Sequence, residues 1–169
     1  MMCRFIDDIL NSYRGLKPQK RMEKQKYAGI YMHMHRDGER AEKTETRALE
    51  ELVERLIEEH GVRCFLCGME QGLELAFGEA AARLRDSKYP FVTLESVIPY
   101  EEQAVGWSEP QRDRYYDLAA RCDEEHMLKR GYVRGCITER DVYLLGRSRY
   151  LILMDENEIK ALVMDRPEL

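Results

Sequence analysis

Residues 64–84 read CFLCGMEQGLELAFGEAAARL, and the way this stretch is parsed decides the fold. Its left end, Cys64-x-x-Cys67, suggests a thiol pair or half of a metal site. Its middle suggests something else: an apolar run ends at Cys67, glycines follow at 68 and 72, and a helical pattern continues through Leu84. The residues fit the second parsing, a strand, a turn and a helix. Working C-x-x-C pairs sit at a helix N-terminus, where the dipole and free amides lower the thiolate pKa. Cys64 instead lies in an apolar strand beside Phe65 and Leu66. Side chains alternate along a strand, so an offset of three sends the two sulfurs to opposite faces. Zinc would need two more ligands at finger-like spacing, and Cys122 and Cys136 stand 14 apart rather than as a close pair. The cysteines are therefore read as core.

Outward from this stretch the pattern repeats. YAGIYM (27–32) is a compact strand, and Asp37 can cap a helix with the stripe Leu49, Leu52, Val53, Leu56 and Ile57, the spacing of one buried helical face. Gly61 stands where a left-handed helix cap belongs. VRCFLC (62–67) is the second strand and residues 70–86 the second helix; Gly78 inside that helix implies close packing on the sheet. FVTLESVIP (91–99) is a third strand, and 109–121 a helix with Pro110 in its first turn. A brief strand near Cys122, a helix over 137–147 and the strand RYLILM (149–154) follow. DENE then turns the chain into IKALVM, predicting a final antiparallel strand. Strands alternating with helices at these distances imply an α/β fold. The expectation is a three-layer, Rossmann-like, mainly parallel sheet with helices on both faces.

The chain has 169 residues, room for one well-buried domain. The reading divides it into an N-terminal helix and basic linker over 1–26 and a single Rossmann-like domain over 27–169. The linker's positive charges are read as a solvated face. A net charge of −5 argues against nucleic acid and anionic membranes as partners. No apolar run approaches a membrane span, and acids at Asp7 and Asp8 do not suit a secretion signal. An odd count of five cysteines suits a reducing compartment, so the expected location is cytoplasmic. A homo-oligomer remains open. His33-x-His35 is read as polar lining of the first strand's mouth, and no metal or cofactor is expected.

The glycines carry the site. A strand ending at Cys67, the turn Gly68-Met69-Glu70-Gln71-Gly72 and a helix place free amides at the carboxyl edge of a parallel sheet, where open α/β folds bind ligands. At this point CGMEQGLELAFGEAA resembles the SGMALGVDLWAAEAA-type loop and helix of the YpsA-like branch of the SLOG superfamily, which is related to DprA and the LOG enzymes. The resemblance runs through VIPYEEQAVGWSEPQRDRYYDL and on from Arg140 to Ser148, covering roughly residues 61–155. It implies a Rossmann-like fold with a pocket for a nucleotide or nucleotide-derived metabolite. The matching positions are Gly68, Gly72, Glu74, Glu79, Pro99, Gln103, Trp107 and Arg140. The family's Gly-His-Arg survives only loosely in His33 to Arg36. Its Arg-Asn is here Arg140-Asp141, and a Gly-Gly-Thr turn is replaced by Asp155 to Glu158.

A helix terminus contributes only about 0.3–1 kcal/mol toward an anion, whereas micromolar binding needs about 8 kcal/mol. Other groups must complete the cup. Trp107 is expected to stack on a base or to anchor its loop, and Arg36 or Arg140 to meet a phosphate. Glu70 and Glu74 repel anions at the helix start, so Glu74 is expected to contact hydroxyls. Three functions compete: a binding or sensor domain without catalysis, an N-glycosidic hydrolase acting through Glu74 or Glu79, and an interaction module with a closed pocket. Loss of the two glycine-containing signals favours the first or third.

Overall fold

The structure is a computed structural model that describes residues 27–30, 43–155 and 158–163, with side chains over 46–152. The elements run β1 (Tyr27–Ile30), α1 (Lys43–His60), β2 (Cys64–Cys67), α2 (Leu73–Ser87) and β3 (Thr93–Ile98). They continue α3 (Glu109–Arg121), β4 (Glu124–Met127), α4 (Cys136–Arg147), β5 (Tyr150–Asp155) and β6 (Glu158–Val163). The strands form one sheet in the order β4-β3-β2-β1-β5-β6. The first five are mutually parallel, and β6 runs antiparallel to β5. The expected N-terminal helix and linker (1–26), and His33, His35, Arg36 and Asp37, lie outside the described residues.

Alternation along β2 divides the interior in two. Phe65 and Cys67 join the large cluster built from α1, α2 and α3, while Cys64 and Leu66 join Val97 and Leu144 on the face covered by α4. Helices thus cover both faces, and the two sulfurs point to opposite sides. Burial holds the Cys64 and Cys67 thiols well above the usual thiol range, and raises Cys122 to about 11. These are packed thiols rather than reactive ones. The α1 stripe is buried throughout. Gly61 (φ 65) ends that helix, its amide and that of Val62 turning back onto the carbonyls of Ile57 and Leu56.

Gly78 explains how α2 sits so low on the sheet. A Cβ there would lie 2.6 Å from Leu118 Cδ2 and 3.0 Å from Cys67 Sγ, so the glycine is where α2 meets both α3 and β2. Phe77 beside it meets Phe65 edge-on, with ring centroids 5.8 Å apart. One turn before Leu118 on α3, Arg114 donates twice to the Glu79 carboxylate, at 2.9 and 2.8 Å, and clamps the two helices.

Three local expectations shift. Helix α2 begins at Leu73 rather than 70, because Gly72 takes a φ of 85 that ends the preceding turn. The strand expected near Cys122 lies over Glu124–Met127. No apolar run marked it: it is an edge strand whose order comes from backbone pairing with β3. Asp123 reinforces that pairing by exchanging bonds of 2.8 Å with Leu94. The final hairpin is tighter than a four-residue loop, since Asp155 pairs with Glu158 as its last rung. No described helix is long and apolar enough to cross a membrane.

Helix propensity alone would make Gly78→Ala stabilising by about 1 kcal/mol. The crowding against Leu118 and Cys67 reverses the sign, because overpacking a core costs about 1–3 kcal/mol. Urea titration should show Gly78→Ala less stable than the parent by about 1 kcal/mol, with Leu118→Val added in the same chain restoring part of the loss.

Candidate functional site

The turn between β2 and α2 is built on two left-handed residues. Met69 has φ 60, unusual for a residue with a Cβ, and Gly72 has φ 85. A left-handed methionine persists only when its surroundings over-determine it. Here its side chain is fully buried, and its carbonyl accepts a 3.1 Å bond from Gln103 Nε2. The loop after β3 thus grips the loop after β2.

Glu74, in the first turn of α2, folds back under this turn. Its Oε2 accepts the Glu70 amide at 2.9 Å, satisfying a donor of the turn that precedes the helix. A Cβ on Gly68 would stand 2.6 Å from the same oxygen. A side chain on Gly68 would therefore have to displace the carboxylate that occupies the space beneath it. Burial pushes the Glu74 carboxyl above the ordinary glutamate range, with Arg140 and the Glu70 amide opposing the shift.

Arg140, on α4, reaches the turn from the other side of the sheet and is buried. Its Nη1 donates to Gly68 O at 3.2 Å and to Glu70 Oε2 at 3.1 Å, while Nε and Nη2 bond Asp141 Oδ1 at 3.1 and 2.9 Å. This guanidinium is already engaged by carboxylates. Around it lie Glu70, Glu74 and Asp141, so the rim carries more acid than base.

Gln103 completes the arrangement. It is 6% exposed, and its Oε1 has no hydrogen-bond partner among the described residues. Buried amide oxygens are nearly always satisfied, so this acceptor beside the turn is an unfilled valence. The amides of Gln71, Gly72 and Leu73 also find no acceptor among the described residues.

The structure thus brings together Gly68, Met69, Glu70, Gly72, Glu74, Gln103 and Arg140. Pro99 is buried at the end of β3. Trp107 is half-buried and meets Tyr115 of α3 edge-on at 5.4 Å, the contact that anchors its loop. Glu79 belongs to the clamp between α2 and α3, and Arg36 lies outside the described residues. Sequence reasoning did not single out Tyr100 and Tyr132, whose rings meet edge-on at 5.5 Å on the loops following β3 and β4. Nothing in spacing marks them, since their loops are brought together only by the pairing of β3 with β4.

Two substitutions test the packing of the turn. Gly68→Ala should destabilise the chain by about 1–3 kcal/mol, the range for an extra methyl in a filled site, as read by chemical denaturation. For Glu74→Gln the sign follows from linkage. A carboxyl whose folded pKa is raised favours folding in its protonated form, and that contribution fades as pH rises through the folded pKa. The parent's melting temperature should therefore fall relative to Glu74→Gln as pH rises from about 4 toward neutrality; a pH-independent difference would remove the buried-acid assignment.

Comparison with known proteins agrees with this architecture. The family model YpsA, described as the YspA SLOG family, matches residues 24–164. A UPF0398 protein of Shouchella clausii is 26% identical over 132 residues, 77% of this chain and 68% of that protein. The UPF0398 protein YpsA of Bacillus subtilis is 31% identical over 70 residues, 41% of this chain and 38% of its own length. A UPF0398 protein of Bacillus velezensis is 27% identical over 117 residues, 68% of this chain and 63% of its own. With the family model covering most of its length and the parallel sheet, strand–turn–helix and buried arginine in place, the chain belongs to the YpsA family of SLOG proteins.

Proposed function

We propose that this domain binds a nucleotide or nucleotide-derived small molecule at the carboxyl edge of the sheet, around the Gly68–Gly72 turn, without catalysing a reaction on it. The observation that carries the reading is the buried Oε1 of Gln103, which finds no partner among the described residues, on a side chain bonded to the same turn whose Gln71, Gly72 and Leu73 amides find no acceptor among them. The strand order supports it. Helices after β1, β2 and β3 cover one face and α4 covers the other, so the chain reverses its winding beside β1, the kind of crevice where open α/β sheets take ligands. The reading goes with a cytoplasmic protein.

Charge sets the orientation of such a ligand. The Glu70 side chain is 45% exposed beside a guanidinium it already neutralises. Carboxylates there suit hydroxyl or amino donors, such as a ribose or an exocyclic amine, and disfavour a phosphate close by. Phosphate would sit outward, toward the open amides of the turn. Tyr100 and Tyr132 offer apolar ring surface for a base.

The non-catalytic assignment rests on where the acids lie. Glu79 is bound on both oxygens by Arg114 between two helices. Glu74 is buried and accepts a backbone amide, so neither is offered to a reacting atom as a general acid must be. Its raised pKa is the one feature that favours a hydrolase as the second reading.

Calorimetry with a panel of nucleosides and nucleotides should show saturable binding, with no free base released on chromatography of the same mixtures. Gln103→Leu should weaken binding about tenfold, the value of one hydrogen bond to a buried acceptor, while Glu79→Gln leaves affinity unchanged. Release of free base would instead identify the hydrolase. The absence of both heat and turnover would identify a closed interaction module.

A further inference from the structure

We propose that the face of the sheet covered by α4 carries a divalent-cation site formed by Glu95, Glu124 and His126. Parallel register sets Glu95 beside Glu124 and Val97 beside His126. Side chains two apart share a face, so the two carboxylates and the imidazole come together on adjacent strands. One donor atom from each lies within 4.8 Å of the others. His126 Nε2 is 2.8 Å from Glu95 Oε2 and 3.6 Å from Glu124 Oε2.

The deepest of these groups is held in place by its neighbours. The Glu95 side chain is 9% exposed. Its Oε1 accepts from Cys64 Sγ at 3.2 Å and its Oε2 from Arg147 Nη1 at 3.1 Å. Carboxylates that bind metals are characteristically oriented by such outer bonds. Access comes from the opposite end, where Glu124 is 65% exposed on the edge strand. Glu124 is thus the outermost ligand.

The donor set decides the class of ion. One imidazole nitrogen and two carboxylate oxygens suit Zn²⁺ or Mn²⁺ and give no preference for a soft ion. Three protein ligands leave positions for water. Arg147 is the group that opposes occupancy: its Nη1 lies 3.5 Å from His126 Nε2. That same nitrogen also donates to Tyr143 Oη at 2.6 Å, so the guanidinium keeps partners in Tyr143 and Glu95 when an ion takes the imidazole lone pair. Arg147's positive charge weakens the site without closing it. The site is separate from the cup, which α4 reaches through Arg140, two turns nearer its start.

The test uses the full chain after chelator treatment, titrated calorimetrically with ZnCl₂ and with MnCl₂. One equivalent should bind to the parent with a rise in melting temperature. Glu124→Gln and His126→Gln should each weaken binding about tenfold or more, with melting curves in chelator showing both variants folded. Replacing His33 and His35 together by Ala should leave that equivalent in place. Absence of saturable binding, binding that survives both Glu124→Gln and His126→Gln, or binding lost only with His33 and His35, would each overturn the assignment.

Discussion

The candidate cup depends on a buried acid held under a glycine. Glu74 Oε2 lies where a Cβ on Gly68 would collide with it, and the same oxygen takes the Glu70 amide that the sharp turn would otherwise strand. An ionised carboxylate at that depth is expensive without a partner. Arg140 supplies part of the compensation and bonds the Gly68 carbonyl as well. The residues that shape the turn are thus tied to α4, across the sheet from α2. Loss of Arg140 would remove the cation facing Glu74, whereas Arg140 itself keeps Glu70 and Asp141 as partners.

The same turn is secured from a third direction. Gln103 reaches in from the loop after β3 and holds the Met69 carbonyl, keeping a left-handed methionine in place. Trp107 and Tyr115 in turn fasten that loop to α3. Binding a ligand here would meet groups already fixed in place, which lowers the ordering cost of association. The half-used amide of Gln103 is consistent with a site whose remaining valence is supplied from outside.

The two faces of the sheet differ in kind. On the side of α1, α2 and α3 the packing is apolar and close, with Gly78 allowing helix, helix and strand to meet at one point. On the side of α4 the apolar cluster is smaller, and toward β4 it gives way to Glu95, His126, Arg147 and Tyr143. An edge strand of exposed charged residues resists pairing with other chains. Here His126 of that strand joins Glu95, Arg147 and Tyr143 in a polar cluster against the sheet.

Periodicity by itself determined much of the architecture. The alternation of CFLC, the helical stripe from Leu49 to Ile57, Gly61 and the strand–turn–helix at Gly68 to Gly72 are local signals, written in residues close in the chain. The opposite directions of Cys64 and Cys67 followed from the same alternation. Strand β4 could be placed only roughly, near Cys122, because Glu124 to Met127 is ordered by pairing with a strand about thirty residues away and has no buried run of its own. The site divides in the same way. Gly68, Gly72, Glu74 and Arg140 could be named from the sequence, but their roles are matters of distance. Arg140, named with Arg36 as the group to meet a phosphate, bonds Glu70, Asp141 and the Gly68 carbonyl; Glu79 faces Arg114. Which charge meets which is set by contacts between elements far apart in the chain, and only the tertiary fold brings those elements together.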